Sequence, residues 1–222
     1  MNGYLYDPHT HTAETSRCGH LYAADVVDRY VRKGFSGLAV TDHLHPEYLS
    51  RIDVDHNWDH VMDHYLSGYH ASKKRGDEVG LDVILGAEFR FPENDNDYLV
   101  YGIDEQWLRS NPYACCMSAQ EFFDKFHDQV LIIHAHPFRE GSAPVQETAI
   151  HGSEIINNNP RHPNHNDQAL AMCRRHPEFF RTAGSDTHRD GDEARAGIIL
   201  PERVKDSFAL KHMIETWQFQ PW

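Results

Sequence analysis

Short apolar runs alternate along this chain with longer segments whose apolar residues recur at helical spacing. The apolar runs lie near residues 3–7, 36–41, 82–87, 97–103, 129–134, 153–157 and 180–184, with a further run at 196–200. Runs of this length between polar segments predict buried strands. Alternation of strands and helices predicts parallel pairing with right-handed crossovers. About seven such units favour a small closed α/β barrel over an open sheet.

Helical spacing is found in five segments between the strands. They are residues 22–33, 57–75, the segment that begins at Ser118, and residues 166–175 and 206–217. The second segment predicts one long helix. Ser118 is followed three positions later by Glu121, which is the spacing of a capping box. Residues 104–117 and 139–151 are predicted to be loops that border a pocket.

Composition narrows the class of protein. With 222 residues, 40% of them hydrophobic, residues 1–222 are expected to form one compact domain. The formal net charge of −13 argues against a long nucleic-acid partner, because such binders are usually basic. A small anionic substrate stays compatible with this charge, since bound divalent ions would make a pocket lined by carboxylates positive.

The cysteines and the hydropathy pattern bear on location. The four cysteines include no Cys-x-x-Cys pair, and the N-terminus carries no secretory hydrophobic region. We therefore expect free thiols in a reducing, cytoplasmic setting. No apolar stretch approaches the length of a membrane span, so no membrane partner is expected. The sequence does not reveal the oligomeric state.

Five of the apolar runs end in side chains that bind metal ions, in a chain with 18 histidines. The endings are His9-Thr-His11, Asp42-His43, Glu88, His134-Ala-His136 and Asp186-Thr-His188. Because parallel α/β barrels build their sites at the carboxyl ends of strands, these endings are expected to converge on one pocket. Imidazoles mixed with carboxylates suit a cluster of divalent ions.

Strand geometry separates the better ligand candidates from their neighbours. His9 and His11 are two residues apart, so both imidazoles can reach one ion; the alternative is a strand end with two solvated histidines. Consecutive strand residues point to opposite sides, so His43 is chosen as the ligand and Asp42 is expected to orient it or a neighbour. The alternative for Asp42 is a helix cap.

The later motifs supply carboxylates. Glu88 ends a buried strand and can bridge two ions with its two oxygens; the alternative is a salt bridge to Arg90 or another arginine. His136 is the stronger ligand candidate, whereas His134 lies deeper and suits a packed core histidine. Asp186 and His188 follow Gly184 and can serve adjacent ions, the alternative being an ordinary turn.

Three further side chains are candidates for contact with substrate. Arg17 and Arg139 lie close to the histidine motifs in sequence, and a guanidinium there can bind an anionic group in bidentate fashion. Asn158, within Asn157-Asn158-Asn159 at another strand end, can orient a substrate, although the same residues could form a turn.

Taken together, the motifs resemble those of a known family. His9-Thr-His11-Thr12, Thr41-Asp42-His43, Gly86-Ala-Glu88, His134-Ala-His136-Pro137 and Gly184-Ser-Asp186-Thr-His188 are similar in order and spacing to the motif series of the PHP (polymerase and histidinol phosphatase) family. The match runs from about residue 7 to residue 190. This resemblance implies a distorted, TIM-like (β/α)7 barrel with a two- or three-ion site at the C-terminal ends of the strands, which hydrolyses phosphoesters.

The resemblance also implies how the ligands are shared, and it adds His20 through the motif Cys18-Gly-His20. One ion would take His9, His11, Glu88 and Asp186, a second would share Glu88 and take His136, and a third would take His20, His43 and His188. One departure concerns the second ion. Many members carry another histidine between the glutamate and His-Pro motifs, and the stretch Asn96-Asp97-Tyr98 has none.

The expected reaction is hydrolysis of a small phosphomonoester by a metal-activated water, with Glu88, Asp186 and His188 as catalytic residues. Zinc, manganese and iron are the expected ions, and magnesium is a further candidate. Three other functions stay open at this point: a phosphodiesterase or exonuclease acting on short nucleic acid, an amidohydrolase, and a non-catalytic metal-binding regulatory domain. The lack of an obvious strand-end lysine for a bridging carbamate disfavours the amidohydrolase.

Overall fold

The computed structural model describes residues 3–222. Its strands are β1 (Tyr4–Thr10), β2 (Gly37–Val40), β3 (His43–Leu44), β4 (Asp82–Leu85), β5 (Ala87–Arg90), β6 (Asp97–Tyr101), β7 (Leu131–His134), β8 (Gly152–Asn157), β9 (Phe180–Gly184), β10 (Ile198–Leu200) and β11 (Gln220–Pro221). Its α-helices are α1 (Ala23–Arg32), α2 (Pro46–Ile52), α3 (Trp58–Tyr65), α4 (Ser67–Val79), α5 (Glu105–Ser110), α6 (Ala119–Phe126), α7 (Asn166–Arg175) and α8 (Ser207–Glu215). The predicted α/β class is therefore confirmed.

The strands form two sheets. One has the order β11-β10-β1-β2-β4, and the other has the order β3-β5-β6-β7-β8-β9. The sheets adjoin at Gly86, which separates β4 from β5, and at an isolated parallel bridge between Thr10 and Thr187. Among residues 3–222 no continuous ladder closes the two sheets into one barrel.

The prediction of parallel pairing throughout is wrong for two strands. β6 pairs antiparallel with both β5 and β7, and β10 pairs antiparallel with β1. The reason for β6 is the short connection 91–96, which cannot cross the sheet and return in the same direction. The remaining pairs of β1, β2, β4, β7, β8 and β9 are parallel, as expected.

Helices cover the outer faces of the sheets. In α1 the buried side chains Val26, Val27 and Tyr30 recur at helical spacing and pack with Leu38 of β2 and Val83 of β4. Such an apolar stripe is what stabilises a surface helix in a folded domain.

The helix predictions are largely confirmed. The capping box predicted at the start of α6 is present, with Ser118 and Glu121 each accepting a backbone hydrogen bond from the other. The predicted long helix over 57–75 is interrupted at Leu66, where α3 ends and α4 begins. Two short helices, α2 and α5, were not predicted, and α5 lies within the segment expected to be a loop. None of the helices in residues 3–222 is long and apolar enough to cross a bilayer.

Strand direction brings the candidate residues together. β1, β2, β5, β7 and β9 all end near one edge of the sheets. The bridge from Thr10 to Thr187 holds the segments after β1 and β9 side by side, and Asp186 donates its backbone N–H to the His9 carbonyl over 3.0 Å. His43 pairs with Glu88 in the ladder of β3 and β5. The strand ends that carry the motifs therefore lie close together.

Candidate metal centre

His9 and His11 form the floor of the cluster. Both side chains are fully buried, and their Nε2 atoms lie 3.2 Å apart. Each Nε2 atom is also 3.4 Å from Oδ1 of Asp186. The two imidazoles therefore face one point, as their spacing of two residues along a strand predicts.

Glu88 lies at the centre of four imidazoles. Its Oε1 is 3.2 Å from Nε2 of His9 and 3.4 Å from Nε2 of His136. Its Oε2 is 2.8 Å from Nδ1 of His43 and 3.3 Å from Nε2 of His11. Burial raises the pKa of the Glu88 carboxyl, but the charges of His43 and His9 outweigh it and hold the pKa well below its usual value.

Asp186 lies in a loop of unusual backbone conformation. Its φ angle is +55°, in the left-handed region that residues with a side chain rarely adopt, and φ of His136 is +31°. Strain of this kind persists where the surrounding structure enforces it, commonly at functional sites. This backbone conformation places Oδ1 of Asp186 3.1 Å from Nδ1 of His188. Oδ2 of Asp186 accepts a hydrogen bond from Arg139.

His43, His11 and His188 form a second group of imidazoles. The ring of His11 stacks on the ring of His188 at 4.0 Å and on the ring of His43 at 4.5 Å between centroids. Burial lowers the pKa of His188, but the Asp186 carboxylate outweighs it and raises the pKa to about 9. Burial of His11, together with the charges of His188 and His43, holds the pKa of the His11 imidazole well below its usual value.

Glu154 was missed by the sequence reasoning. This buried glutamate on β8 accepts a hydrogen bond from Nδ1 of His9 over 3.0 Å. Its other oxygen accepts from the His136 backbone N–H and from Nδ2 of Asn157. A carboxylate behind an imidazole fixes the tautomer and leaves the opposite nitrogen free to bind a metal. The available signal was an acidic residue next to Ile155 and Ile156 in a segment predicted to be a strand.

Asp42 stabilises the loop after β1. Its carboxylate accepts hydrogen bonds from the backbone N–H and the hydroxyl of Thr12, over 2.8 and 2.6 Å, and from the Ser16 hydroxyl over 2.7 Å. Ser16 also receives the backbone N–H of His43. Burial raises the pKa of Asp42 to about 6. The carboxylate thus positions the segments that carry His11 and His43 from behind.

His134 and His136 occupy different environments. His134 is fully buried, stacks on Tyr98 at 4.9 Å between centroids, and has no hydrogen-bond partner on either ring nitrogen. Burial lowers the pKa of its imidazole to about 3, so the ring is neutral. His136 instead points at Glu88. The structure therefore places His136 in the cluster and His134 in the core.

The donor set fits divalent cations. Three groups of side chains each bring three ligand atoms within 4.8 Å of one another: His11–His43–His188, His9–His11–Asp186 and His43–Glu88–Asp97. Both carboxylate oxygens of Glu88 and Oδ1 of Asp186 are buried without a hydrogen-bond partner. A buried carboxylate oxygen without a partner is costly unless a cation neutralises it. Mixed nitrogen and oxygen donors suit zinc, manganese and iron.

A cleft with two adjoining lobes opens above the cluster. The metal lobe, of about 440 Å³, is lined by His136, Arg139, Arg161, Asp186 and His188 among others. The arginine lobe, of about 400 Å³, is lined by Arg17, Arg51, Arg90 and Arg189 together with His45 and Tyr48. Cys18, His43 and Arg90 border both lobes. A small molecule can therefore contact the cluster and the arginine lobe at once.

Comparison with known proteins relates this architecture to solved structures. No family model and no curated protein matches the chain. A two-domain protein from Bacteroides vulgatus, named as containing a predicted PHP-like metal-dependent phosphoesterase, matches with a TM-score of 0.71 at 14% identity. The match covers 100% of this chain and 65% of that protein. A candidate metal-dependent phosphoesterase from Bifidobacterium adolescentis matches with a TM-score of 0.56 at 15% identity, over 93% of this chain and 94% of the other.

The chain shares its fold with these two proteins. The predicted resemblance to the PHP family is thereby confirmed at the level of the fold. An amidohydrolase from Chromobacterium violaceum, with bound sulfate and no metal, shares the fold with a TM-score of 0.57 at 14% identity, over 97% of each chain.

Within the PHP-like fold, three predicted site residues lie apart from the cluster. The His20 side chain is exposed at the arginine lobe, and only its backbone N–H reaches the cluster, by donating to the His188 carbonyl. Arg17 is exposed and lines the same lobe. Asn158 is exposed and donates to the Arg195 carbonyl, whereas its neighbours Asn157 and Asn159 are buried.

The two neighbours of Asn158 contact residues of the metal lobe. Asn159 lines that lobe and donates to the Asp186 carbonyl, and Asn157 accepts a hydrogen bond from Arg139. Side chains alternate along an extended segment, so the middle asparagine points away from its two neighbours.

Two unpredicted side chains complete the candidate site. Asp97, in the stretch that lacks the further histidine, lies 3.7 Å from Nε2 of His136 and is bound by Arg90 through two hydrogen bonds of 2.8 and 2.9 Å. Cys18 lies where both lobes meet. Burial raises the pKa of the Cys18 thiol, but hydrogen bonds to the imidazoles of His188 and His43 outweigh it and lower the pKa to about 6.

Proposed function

We propose that this chain is a metal-dependent phosphoesterase that hydrolyses a small phosphomonoester. The observation that carries the proposal is the environment of Glu88. A buried carboxylate with two partnerless oxygens lies among four imidazoles, at distances of 2.8 to 3.4 Å, beside a third partnerless oxygen, on Asp186. This arrangement supports two or more divalent ions that share Glu88.

The residues that would hold the ions are the predicted ones, apart from His20. His9, His11, His43, Glu88, His136, Asp186 and His188 are brought together. His20 would need its exposed side chain to turn inward to bind a third ion. Asp97 is a further candidate ligand for the ion near His136, once Arg90 yields one of its two contacts.

Bound divalent ions would supply a water of lowered pKa and would polarise the phosphate oxygens. The protein itself would orient the ligand side chains and exclude water from the site. Glu154 fixes the His9 tautomer, Asp42 holds the Thr12–Ser16 loop, and Arg139 binds Oδ2 of Asp186 so that Oδ1 faces the cluster. Arg139 is itself positioned by Asn164 and Asn157, and its guanidinium lines the metal lobe beside the place where a phosphate would bind.

A small substrate agrees with the shape and charge of the molecule. The two lobes, of about 400 and 440 Å³, have the size of a metabolite site. A protein of net charge −13 would repel a long polyanion outside the cleft. The sulfate held by the Chromobacterium structure is a tetrahedral anion like a phosphate group, which agrees with the proposal. We also propose that the two sheets together form a distorted seven-stranded barrel.

A second candidate, hydrolysis of an amide or related C–N bond, is favoured by the amidohydrolase that shares the fold. The donor set weighs against it. Within residues 3–222 no lysine lines either lobe, so a bridging lysine carbamate has no source. Glu88 occupies the central position instead.

The direct test is an aryl phosphate assay on purified protein reconstituted separately with Zn²⁺, Mn²⁺, Fe²⁺ and Mg²⁺. We expect metal-dependent release of phosphate and loss of at least about 100-fold in kcat/KM for His11→Ala and Glu88→Ala. His56→Ala, at a side chain that is 88% exposed, serves as the matched control. Wild-type turnover in both cluster variants would refute the assignment, and hydrolysis of anilides but not phosphates would favour the second candidate.

A further inference from the structure

The arginine lobe is strongly basic although the protein is acidic. Four arginines line it, and Glu47 is the only acidic residue among its lining side chains in the described part of the chain. The metal lobe is different, because its Arg90, Arg139 and Arg161 lie among four carboxylates, Asp95, Asp97, Glu140 and Asp186. The excess of positive side chains is therefore confined to the arginine lobe.

Three of these arginines form no ion pair. Between residues 3 and 222, no carboxylate lies within ion-pair distance of Arg17, Arg51 or Arg189, whereas Arg90 is bound to Asp97. In residues 3–222 some exposed arginines that line neither lobe, Arg32, Arg174, Arg175 and Arg195, also form no ion pair. Arg29, Arg75, Arg109 and Arg203 each pair with at least one aspartate. What distinguishes Arg17, Arg51 and Arg189 is that three unpaired guanidiniums line one lobe beside the cluster.

The three unpaired arginines reach the arginine lobe from different segments of the chain. Arg17 lies in the loop after β1, Arg51 on α2, and Arg189 in the loop after β9, so three separate segments supply them. Each guanidinium presents a planar set of donors that matches carboxylate or phosphate oxygens. His43, a member of the cluster, borders the lobe. An anion in the arginine lobe would thus be next to the metal centre and separate from it.

We propose that the arginine lobe binds a second anionic group of the substrate. This inference rests on the proposed phosphoesterase function. The substrate class is a phosphomonoester that carries a further phosphate or carboxylate at the end remote from the bond that is cleaved. The metal lobe takes the scissile phosphate, and Arg17, Arg51 and Arg189 take the remote anion.

The test compares substrates that differ only in the remote group. Butyl phosphate, 4-phosphooxybutanoate and butane-1,4-diol bisphosphate are assayed with the metal-loaded protein, together with the bisphosphates of propane-1,3-diol and hexane-1,6-diol to vary the span. We expect kcat/KM for the best substrate with a second anionic group to exceed that of butyl phosphate by about tenfold or more. The carboxylate and bisphosphate arms distinguish which remote group the lobe prefers.

Substitutions test whether the preference for a second anionic group arises from the arginine lobe. Arg51→Ala and Arg189→Ala, singly and together, are expected to reduce the ratio of kcat/KM between substrates with two anionic groups and butyl phosphate, which has one, toward one. Arg174→Ala is the matched control, because Arg174 is exposed on α7 and lines neither lobe. Its ratio is expected to equal that of the wild type.

Calorimetry on the metal-free protein gives a readout that does not require turnover. Butane-1,4-diol bisphosphate is expected to bind more tightly than butyl phosphate, and the double variant is expected to abolish the difference. Equal affinity and equal kcat/KM for the two compounds would overturn the inference while leaving the phosphoesterase intact. Arginine-dependent binding without hydrolysis of any phosphoester would uphold the anion site and overturn the proposed function.

Discussion

Nδ1 of His9 donates to Oε1 of Glu154 over 3.0 Å, and the opposite ring nitrogen of His9 lies 3.2 Å from Oε1 of Glu88. One imidazole thus connects a carboxylate outside the cluster with the carboxylate at its centre. Glu154 can only accept this hydrogen bond, so Nδ1 carries the proton and Nε2 presents a lone pair to the cluster.

Glu154→Gln is expected to weaken metal binding without removing a ligand. The amide can present its NH₂ group to Nδ1, which favours the wrong tautomer of His9, and we expect a loss of about 10- to 100-fold in metal affinity. Competition with a fluorescent chelator measures the dissociation constant. Glu202→Gln, at an exposed position, is the control, and an unchanged affinity in Glu154→Gln would remove its proposed role.

Metal removal is expected to destabilise the protein. Buried oxygens of Glu88 and Asp186 lack partners, so a bound cation contributes to stability by mass action, by about 4 kcal/mol when its concentration is a thousandfold above Kd. Thermal unfolding with and without a chelator measures the shift. The midpoint should fall on chelation and recover on addition of Zn²⁺ or Mn²⁺. Glu88→Gln should show no such response, and a chelator-sensitive midpoint in that variant would contradict the assignment.

His151 makes stability depend on pH outside the metal centre. Its Nδ1 accepts the Ile132 backbone N–H over 3.0 Å, and burial lowers the pKa of its imidazole from 6.5 to about 4. The unfolded chain gains a proton near pH 6.5, whereas the folded protein gains it only near pH 4. The stabilisation is therefore complete above about pH 6.5 and is lost as the pH falls through that window.

His151→Asn keeps an acceptor for Ile132 and removes the titration. Between pH 7 and pH 5 the wild type is expected to lose about 1–2 kcal/mol more of unfolding free energy than the variant. Urea unfolding at both pH values measures the difference. His56→Asn, at an exposed histidine with a left-handed backbone, is the control. Parallel pH dependence of wild type and His151→Asn would show that His151 does not contribute.

Gly68 permits α4 to approach the loop that follows β1. A Cβ atom at this position would overlap the Thr12 hydroxyl and lie 2.9 Å from Oδ2 of Asp42. Although alanine favours helices, Gly68→Ala is expected to lower the unfolding free energy by about 1–3 kcal/mol and to reduce the proposed phosphoesterase activity, because Thr12 and Asp42 position the cluster. Lys74→Ala, exposed on the same helix, should change stability by less than about 0.5 kcal/mol. Equal stability and activity in the two variants would refute this role.

The sequence predicts the residues at strand ends better than the residues that support them. His9, His11, His43, Glu88, His136, Asp186 and His188 all follow apolar runs, and strand direction alone brings them to one edge. Their separate roles as ligands stay predictions. Glu154 could not be assigned in this way, because it acts through His9, which is 145 residues away in sequence. Asp97 could not be assigned because its contact with Arg90 depends on the antiparallel pairing of β5 with β6, which was not predicted.

Topology was predictable only where a connection was long enough to be recognised. Helices between most strands indicate parallel pairing, whereas the short segment 91–96 enforces the antiparallel β6. Periodicity also fails to register the interruption at Leu66, because the apolar spacing continues from α3 into α4. Side-chain direction in irregular segments was the least predictable feature, as the exposed positions of His20 and Asn158 illustrate.

Anomalous diffraction from crystals grown with Mn²⁺ or Zn²⁺ tests the central claim most directly, because it locates the ions without reference to activity. We expect peaks within coordination distance of His9, His11, Glu88 and Asp186, and a further peak beside His43 and His188. Peaks only at surface carboxylates, with none among these side chains, would contradict the account.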